Sequence, residues 1–478
     1  MAPGKTQVDA QKLNTFKTGF KGEIVVPGSA GYDAARTIWN AMIDRHPAVI
    51  ARCATTADVV RAVHFARETG LVLAVRGGGH NIAGSALCDD GLVIDLSLMR
   101  AARVEPTKSR VTIEGGATLA DLDAATQAHD LATPVGINST TGIAGLTLGG
   151  GFGWLSRKYG MTIDNLEGAE VVTAKGAALN VSATEHPDLF WALRGGGGNF
   201  GVVTRFTFRL HPVGPHVLSG LIVYPMAAAK PVLQQYRDFM ARAPEELNVW
   251  TVLRPAPPLP FLPESVHGQP IVALALIYTG NPQQGERLIE PLRQFGTPVG
   301  EHVGVQPYVA WQRAFDPLLT AGARNYWKSH NFTTLADGLF DTVVGAIKTL
   351  PSPHCEIFFG ALGGATTRPA PDATAYPHRD AQFVMNVHGR WDAAADDQRC
   401  IAWARDFFRA SAPFASPGVY VNFLTADETE RVRSAYGPNY ARLAQIKRTY
   451  DPDNVFQVNQ NIAPADASAT RDQQRPAA

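Results

Sequence analysis

The chain has 478 residues with 43 basic and 43 acidic side chains, so its formal charge cancels, and 45% of its residues are hydrophobic. That length holds two or three domains and buries a large core without covalent staples, while zero net charge speaks against nucleic acid or an anionic membrane as partner. The four cysteines, Cys53, Cys88, Cys355 and Cys400, show no C-x-x-C spacing and so indicate neither a metal site nor a disulfide framework.

The opening segment M-A-P-G-K-T-Q-V-D-A-Q-K has no apolar core of signal-peptide length, and no apolar run reaches the roughly 18 residues of a membrane span. A cytoplasmic setting is the expectation, in which the Asn-x-Ser/Thr triplets at Asn138, Asn180 and Asn331 need no glycan. Thr55 or Thr56 caps a helix whose Val59, Val60, Val63 and Ala66 recur at helical spacing, and Gly70 closes it. A strand from Leu71 to Val75 follows and runs into V-R-G-G-G-H-N-I-A-G, which ends at Gly84. Three successive glycines remove every Cβ, so consecutive N–H groups can curl around phosphate oxygens while His80 is held close to the ligand. The plainer alternative is a tight turn bearing a surface histidine.

Strand-like runs around Leu92 to Leu96 and Arg110 to Ile113 come next, then a helix from about Thr118 to His129. Two more glycine blocks follow, L-T-L-G-G-G-F-G-W-L from Leu146 and R-G-G-G-G-N-F-G-V-V-T from Arg194. An elongated dinucleotide-like cofactor lying against several loops accounts for this clustering. Gly196 to Gly201 formally satisfies G-x-G-x-x-G, but D-L-F-W-A-L-R reads as a helix before it and V-V-T-R-F-T-F as a strand after it, the reverse of a Rossmann site. Walker A, H-E-x-x-H and G-x-S-x-G motifs are absent.

From about His211 the composition turns rich in proline and aromatics, which marks a second domain. Ile271 to Tyr278, Tyr326 to Thr333, Cys355 to Leu362 and Phe383 to Trp391 alternate as strands of one antiparallel sheet. Helices near Tyr308 to Phe315 and Ile401 to Ala410 interrupt them. The last region, Tyr420 to Pro464, reads as strand, helix and then Y-D-P-D-N-V-F-Q-V-N-Q-N-I, with a polar, disordered tail after Ala465. Strands that follow one another without intervening helices give an α+β class.

The three glycine blocks, the D-P-D-N-V-F-Q-V-N-Q-N-I ending and the Y-x-N segment at Tyr420 to Asn422 resemble the flavin-linked oxidases of the berberine-bridge-enzyme-like family, within the vanillyl-alcohol oxidase superfamily. The resemblance spans residues 30 to 464 and is strongest to bacterial members. It implies an FAD domain of two α+β subdomains over residues 1–210 and a substrate domain with a large antiparallel sheet over 211–419. A segment over 420–464 would return to the FAD domain, followed by the tail 465–478. It also implies a covalent bond from His80 to the 8α-methyl of FAD. Asn138 stands where doubly linked members carry a cysteine, so a single link is expected. By the same matching, Arg76, Gly77, Gly78, Gly79 and Asn81 wrap the diphosphate and ribityl chain, and Ser139, Thr140, Thr141, Gly142 and Gly145 approach the flavin. Gly149, Gly150 and Gly153 give backbone access, Gly201 and Val203 flank the adenine or flavin edge, and Asn459 and Asn461 offer amides to the flavin carbonyls.

A flavoprotein oxidase takes a hydride and must also remove a proton from the substrate heteroatom. Alternation along F-V-M-N-V-H-G-R-W puts Asn386, His388 and Arg390 on one face. Family members often bear a catalytic carboxylate or amide at the position of Asn386; asparagine cannot be a base, whereas His388 can accept a proton near neutrality. Lys328 matches a family lysine and competes as base or as a partner for an anionic group. Tyr420 is a third candidate, because Phe423 replaces the tyrosine that usually serves as base in Y-x-N-Y. Thr141 stands at a position that is small in oxidases, and Leu146 replaces a histidine of plant members. The expected protein is an FAD-dependent oxidase acting at a C–N or C–O bond of a small aromatic or secondary-metabolite substrate, with O2 as acceptor and H2O2 as product, working as a monomer or homodimer. A carbohydrate oxidase, a dehydrogenase and a flavin-carrying binding protein without turnover are the alternatives.

Overall fold

The computed structural model describes residues 8–466, so the expected tail lies almost wholly outside the described residues. Near the start, Glu23–Val25 (β1), Val49–Arg52 (β2), Leu73–Arg76 (β3) and Leu92–Asp95 (β4) form a sheet in the order β1-β2-β4-β3. β4 pairs in parallel with both β2 and β3. The crossover between β2 and β3 is the helix Thr56–Thr69, where Thr55 and Asp58 make a reciprocal capping box and Gly70 ends the helix at φ 70°. Its Val59, Val63 and Ala66 are buried as the spacing predicts, together with Ala62, whereas Val60 is only half-buried.

A second sheet is wholly antiparallel, with Ala102–Glu105 (β5), Arg110–Glu114 (β6), Leu166–Val172 (β8), Ala178–Ser182 (β9) and Val202–Arg209 (β10) in the order β5-β6-β10-β8-β9. A short ribbon of Leu131–Ala132 (β7) with His211–Pro212 (β11) stands where the chain leaves it.

The third sheet has seven antiparallel strands: His216–Pro225 (β12), Leu247–Pro255 (β13), Pro270–Tyr278 (β14), Gly300–Pro307 (β15), Arg324–Phe332 (β16), Glu356–Ala361 (β17) and Phe383–Trp391 (β18). Their order is β15-β12-β14-β13-β17-β18-β16. β12, β13 and β15 add three strands to the four read from sequence. In β12 and β13 the alternation is masked because most residues on both faces are buried, whereas β15 has no buried residue and so shows no apolar pattern. Helices Ala229–Met240, Asp337–Ile347 and Asp397–Ser411 cover one face, and their Leu233, Tyr236, Phe340, Val343 and Phe407 share a core with Ile357, Phe359, Met385 and Val387. The other face looks into a cavity.

The C-terminal segment departs from expectation. Residues 420–464 contain no strand; a 3-10 turn Val421–Phe423 and helices Val432–Tyr436 and Tyr440–Tyr450 take its place. Side chains supply the anchors that a strand neighbour would have given: Gly151 N–H donates to Tyr420 Oη at 3.0 Å, and Asn422 donates to the Gly145 and Leu146 carbonyls. Further on, Lys447 is fully buried, with its Nζ 2.6 Å from Asp451 and donating to the carbonyls of Asn199 at 2.7 Å and Phe456 at 2.9 Å. Asp451 in turn accepts the N–H groups of Val455 and Phe456, which turns the chain back onto the third glycine block.

Asp451→Ala is expected to cost about 3–5 kcal/mol, because it strands a buried ammonium. A thermal or urea unfolding experiment that found less than about 1 kcal/mol would refute this account of the anchor.

Candidate active site

Two glycine loops meet backbone to backbone. A Cβ on Gly78 would lie 2.3 Å from Gly142 N, and one on Gly142 would lie 2.2 Å from Gly78 N, so no larger residue fits at either position. This contact joins the strand-to-loop turn after β3 to the loop Asn138 to Gly142. Together with Gly197 to Val203 and Val458 to Gln460 they form one wall of the cavity. The opposite wall is the inner face of the large sheet, contributed by alternate residues: Leu221 and Val223, Trp250 to Arg254, Ile271 to Ala275, Glu356 and Phe358, Asn386 and His388, and Trp327.

Gly77, Gly78, Gly79, His80, Asn81, Thr141, Gly142, Gly145, Gly201, Val203 and Asn459 all line this cavity, as do His388, Asn386 and Tyr420. Others of the expected set do not. Arg76 turns its guanidinium to the Ala35 carbonyl. Ser139 donates its N–H to Asp316 at 2.9 Å and its hydroxyl to the same carboxylate, which ties the loop to the segment after β15. Gly149 and Gly153 serve packing: a Cβ would meet the Asn422 side chain at 2.3 Å and the Val135 carbonyl at 1.9 Å. Gly150 is buried beside Met161 and Tyr420, and Asn461 sits one residue beyond the lining. Thr140 touches the cavity through His80, whose Nε2 is 2.9 Å from its Oγ1.

Lys328 is not brought to the cavity. In β16, Trp327 faces inward, so alternation turns Lys328 outward. There its Nζ lies 3.0 Å from both Asp427 and Glu428 and 2.9 Å from Thr425 Oγ1. Burial alone would lower its pKa, but Glu428 and Asp427 outweigh that and raise it, so it stays an ammonium and is no base.

The charged groups of the cavity cluster instead on β17, β18 and β13. Arg254 lies 2.6 Å from Glu356 Oε2, and Glu356 Oε1 lies 3.4 Å from His388 Nδ1. His388 Nε2 lies 2.9 Å from Asn325 Oδ1, which also accepts from Arg390 at 3.2 Å. Asn325 Nδ2 donates to the Ala323 carbonyl at 2.8 Å, so its Oδ1 is the acceptor and His388 carries its hydrogen on Nε2. The Nδ1 lone pair therefore faces a carboxylate. Burial lowers the His388 pKa against the pull of Glu356 and keeps the ring neutral. Burial also raises Glu356, but Arg254 leads the opposing charges that hold it below the usual carboxylate range. A proton arriving between Nδ1 and Oε1 would meet two acceptors and no competing donor.

Tyr420 has a different part. Its oxygen accepts from Gly151 N–H and from Asn422 Nδ2 at 3.1 Å, and burial pushes its pKa up to about 12. It is a neutral phenol of the cavity lining whose own hydrogen has no acceptor among the described residues. Asn386 is 1% exposed and neither its Oδ1 nor its Nδ2 has a partner, a costly arrangement unless a ligand completes it. The Oδ1 atoms of Asn459 and Asn461 are likewise unpaired.

Glu356, Arg254, Trp39 and Trp327 are cavity residues that sequence reasoning missed. Glu356 carried one usable signal, a carboxylate in the otherwise apolar strand C-E-I-F-F-G. Trp39 stacks on His80, ring centroids 5.1 Å apart and planes at 20°, and nothing near it in sequence announces this.

An FAD molecule suits this cavity on the structure's own terms. The facing glycine loops leave room for backbone approach to a diphosphate, and the unpaired amide of Asn386 and the unpaired Oδ1 of Asn459 await polar partners. His80 keeps its Nδ1 clear of the Thr140 Oγ1 contact made by Nε2, and burial lowers its pKa to about 4 against the pull of the Thr140 backbone, so the ring is neutral.

Comparison with known proteins agrees. Residues 47–182 match the model of an FAD binding domain, and residues 419–463 match the model described as berberine and berberine like. An FAD-linked oxidoreductase of Dictyostelium discoideum is 33% identical over 466 residues, covering 96% of this chain and 98% of its own. The (R)-6-hydroxynicotine oxidase of Paenarthrobacter nicotinovorans is 32% identical, covering 93% of this chain and 97% of its own. The crystal structure of 6-hydroxy-D-nicotine oxidase from Arthrobacter nicotinovorans superposes with a TM-score of 0.84 at 30% identity, over 93% of this chain and 98% of that one. Xylooligosaccharide oxidase from Myceliophthora thermophila does so with a TM-score of 0.84 at 25% identity, over 96% and 100%. Among the described residues no helix is long and apolar enough to cross a membrane. With its FAD-binding domain, its berberine-like C-terminal segment and relatives aligned over nearly its whole length, the chain belongs to the berberine-bridge-enzyme-like family of FAD-linked oxidoreductases.

Proposed function

We propose that this FAD-linked oxidoreductase is an oxidase that carries FAD covalently at His80, oxidises a C–N or C–O bond of a small aromatic substrate and uses O2 as acceptor. The observation that carries this reading is the Glu356–His388 pair, set in an apolar cavity opposite the glycine loops. Bound FAD supplies the hydride acceptor and passes the electrons to O2, with release of H2O2. The chain's residues do the rest.

Leu221, Trp250, Val252, Trp327, Phe358 and Phe423 give the cavity apolar and aromatic sides, which suit a flat ring better than a sugar. Tyr420 donates its phenolic hydrogen to a polar group of the substrate, and Asn386 offers it one donor and one acceptor. The substrate's heteroatom proton passes to the site between His388 Nδ1 and Glu356 Oε1, where the resulting imidazolium faces a carboxylate. The carboxylate that position 386 lacks is thus supplied from the neighbouring strand. Gly77, Gly78, Gly79, Asn81, Thr141, Gly142, Gly145, Gly201, Val203 and Asn459 hold the cofactor, and Thr141 leaves space for O2 beside it. Arg76, Ser139, Gly149, Gly150, Gly153 and Asn461 shape the loops that do so.

Acid precipitation of the wild type is expected to give a yellow pellet, and His80→Ala a colourless one with free flavin in the supernatant. Glu356→Gln is expected to lower kcat/KM at least ~10²-fold in a peroxide assay with flavin content unchanged; wild-type turnover would remove the pair from the mechanism. Because burial lowers the His388 pKa, its neutral form persists as pH falls, and the acid limb of kcat/KM should lie below 6.5. An acid limb above that value would point to another base.

A further inference from the structure

His80 is held on two sides and open on a third. Its Nε2 lies against Thr140 Oγ1, its face stacks on Trp39, and its Nδ1 has no partner among the described residues. The hydrogen in the Nε2 contact follows from the atoms around it. Thr140 Oγ1 is also 2.7 Å from Asn138 Oδ1, and the Thr140 N–H is 3.1 Å from the same oxygen. On its other side the Asn138 amide faces the Leu319 carbonyl at 3.4 Å. Turning that amide over would set an NH2 group against an N–H and an oxygen against a carbonyl, so Oδ1 is the acceptor of both contacts. An amide oxygen has no hydrogen to give. The Thr140 hydroxyl therefore spends its one hydrogen on Asn138 and accepts from His80, which places the ring hydrogen on Nε2 and the lone pair on Nδ1.

We propose that Asn138 and Thr140 are positioning residues that set the tautomer of His80, so that the bond to the 8α carbon of FAD forms at Nδ1. This rests on the reading that His80 carries FAD covalently. In the attachment the Nδ1–C8α bond forms while one C8α–H bond and the Nε2–H bond break. The two electrons released reduce O2, and the two protons leave with it as hydrogen peroxide. The relay begins in the segment after β15. The Leu319 carbonyl, which orients the Asn138 amide, also accepts from Trp39 Nε1 at 2.8 Å, so one carbonyl holds both the relay and the indole under the ring. Arg390, 5.5 Å from the Trp39 ring, adds a cation beside the indole. Burial keeps the ring neutral, which leaves the Nδ1 lone pair available.

The test has two parts, neither of which reads turnover. Heteronuclear NMR of the flavin peptide released by proteolysis of the wild-type enzyme should correlate the 8α-methylene protons with the imidazole Cγ. Correlation with Cδ2 instead marks an Nε2 bond and overturns the proposal. Covalent incorporation, followed by in-gel flavin fluorescence, should be about tenfold slower in both Thr140→Val and Asn138→Ala and should recover in Thr140→Ser. Wild-type rates in both of the first two variants, with unchanged circular dichroism, overturn it as well. Release of all flavin from the wild type in acid would be a different result: it removes covalent attachment itself, and the proposal with it.

Discussion

The contact between Gly78 and Gly142 is the constraint on which the site depends. Two loops from different sheets can approach to backbone distance only if neither carries a Cβ, and that approach brings His80 beside the Asn138 to Gly142 segment. Everything around it serves to hold the contact. Asp316 grips Ser139 from the substrate side, Tyr420 and Asn422 grip the second glycine block, and Lys447 grips the third through the Asn199 carbonyl. The C-terminal segment therefore acts as a strap whose buried ammonium leaves few alternative arrangements.

The large sheet answers the opposite requirement. It must present polar groups to a cavity that is otherwise apolar, and it does so by confining them to neighbouring strands. Glu356, His388, Asn386 and Arg254 come from three strands adjacent in the sheet, and the contacts of Glu356 with Arg254 and His388 reduce the cost of burying charge. Lys328 shows the same economy on the outer face. There Asp427 and Glu428 neutralise it and Thr425 accepts a hydrogen bond from it, where a lone ammonium would be expensive.

Much of this was legible beforehand. The histidine in its glycine loop, the reversed order around Gly196 to Gly201 and the capped helix from Thr56 are local patterns, and each appears in the structure. What could not be read locally is how distant segments press on these patterns. The run Gly149 to Gly153 looks like a second cradle, yet part of it is shaped by Asn422 and the Val135 carbonyl from distant sequence. Tyr420, a candidate because the motif's usual base position is Phe423, accepts two hydrogen bonds and is held by burial as a neutral phenol.

By itself the sequence determined the α+β class, the glycine loops that line the cavity and the fact that Asn386 and His388 share a strand face. It could not determine which face of each strand looks inward, because helices cover one side and the cavity the other, so both faces read as buried. Nor could it set strand order. Only the pairing of β17 between β13 and β18 puts Glu356 opposite His388 and within reach of Arg254. Local chemistry follows from residue identity and spacing, whereas the pairing of a carboxylate with its histidine depends on contacts between segments far apart in the chain.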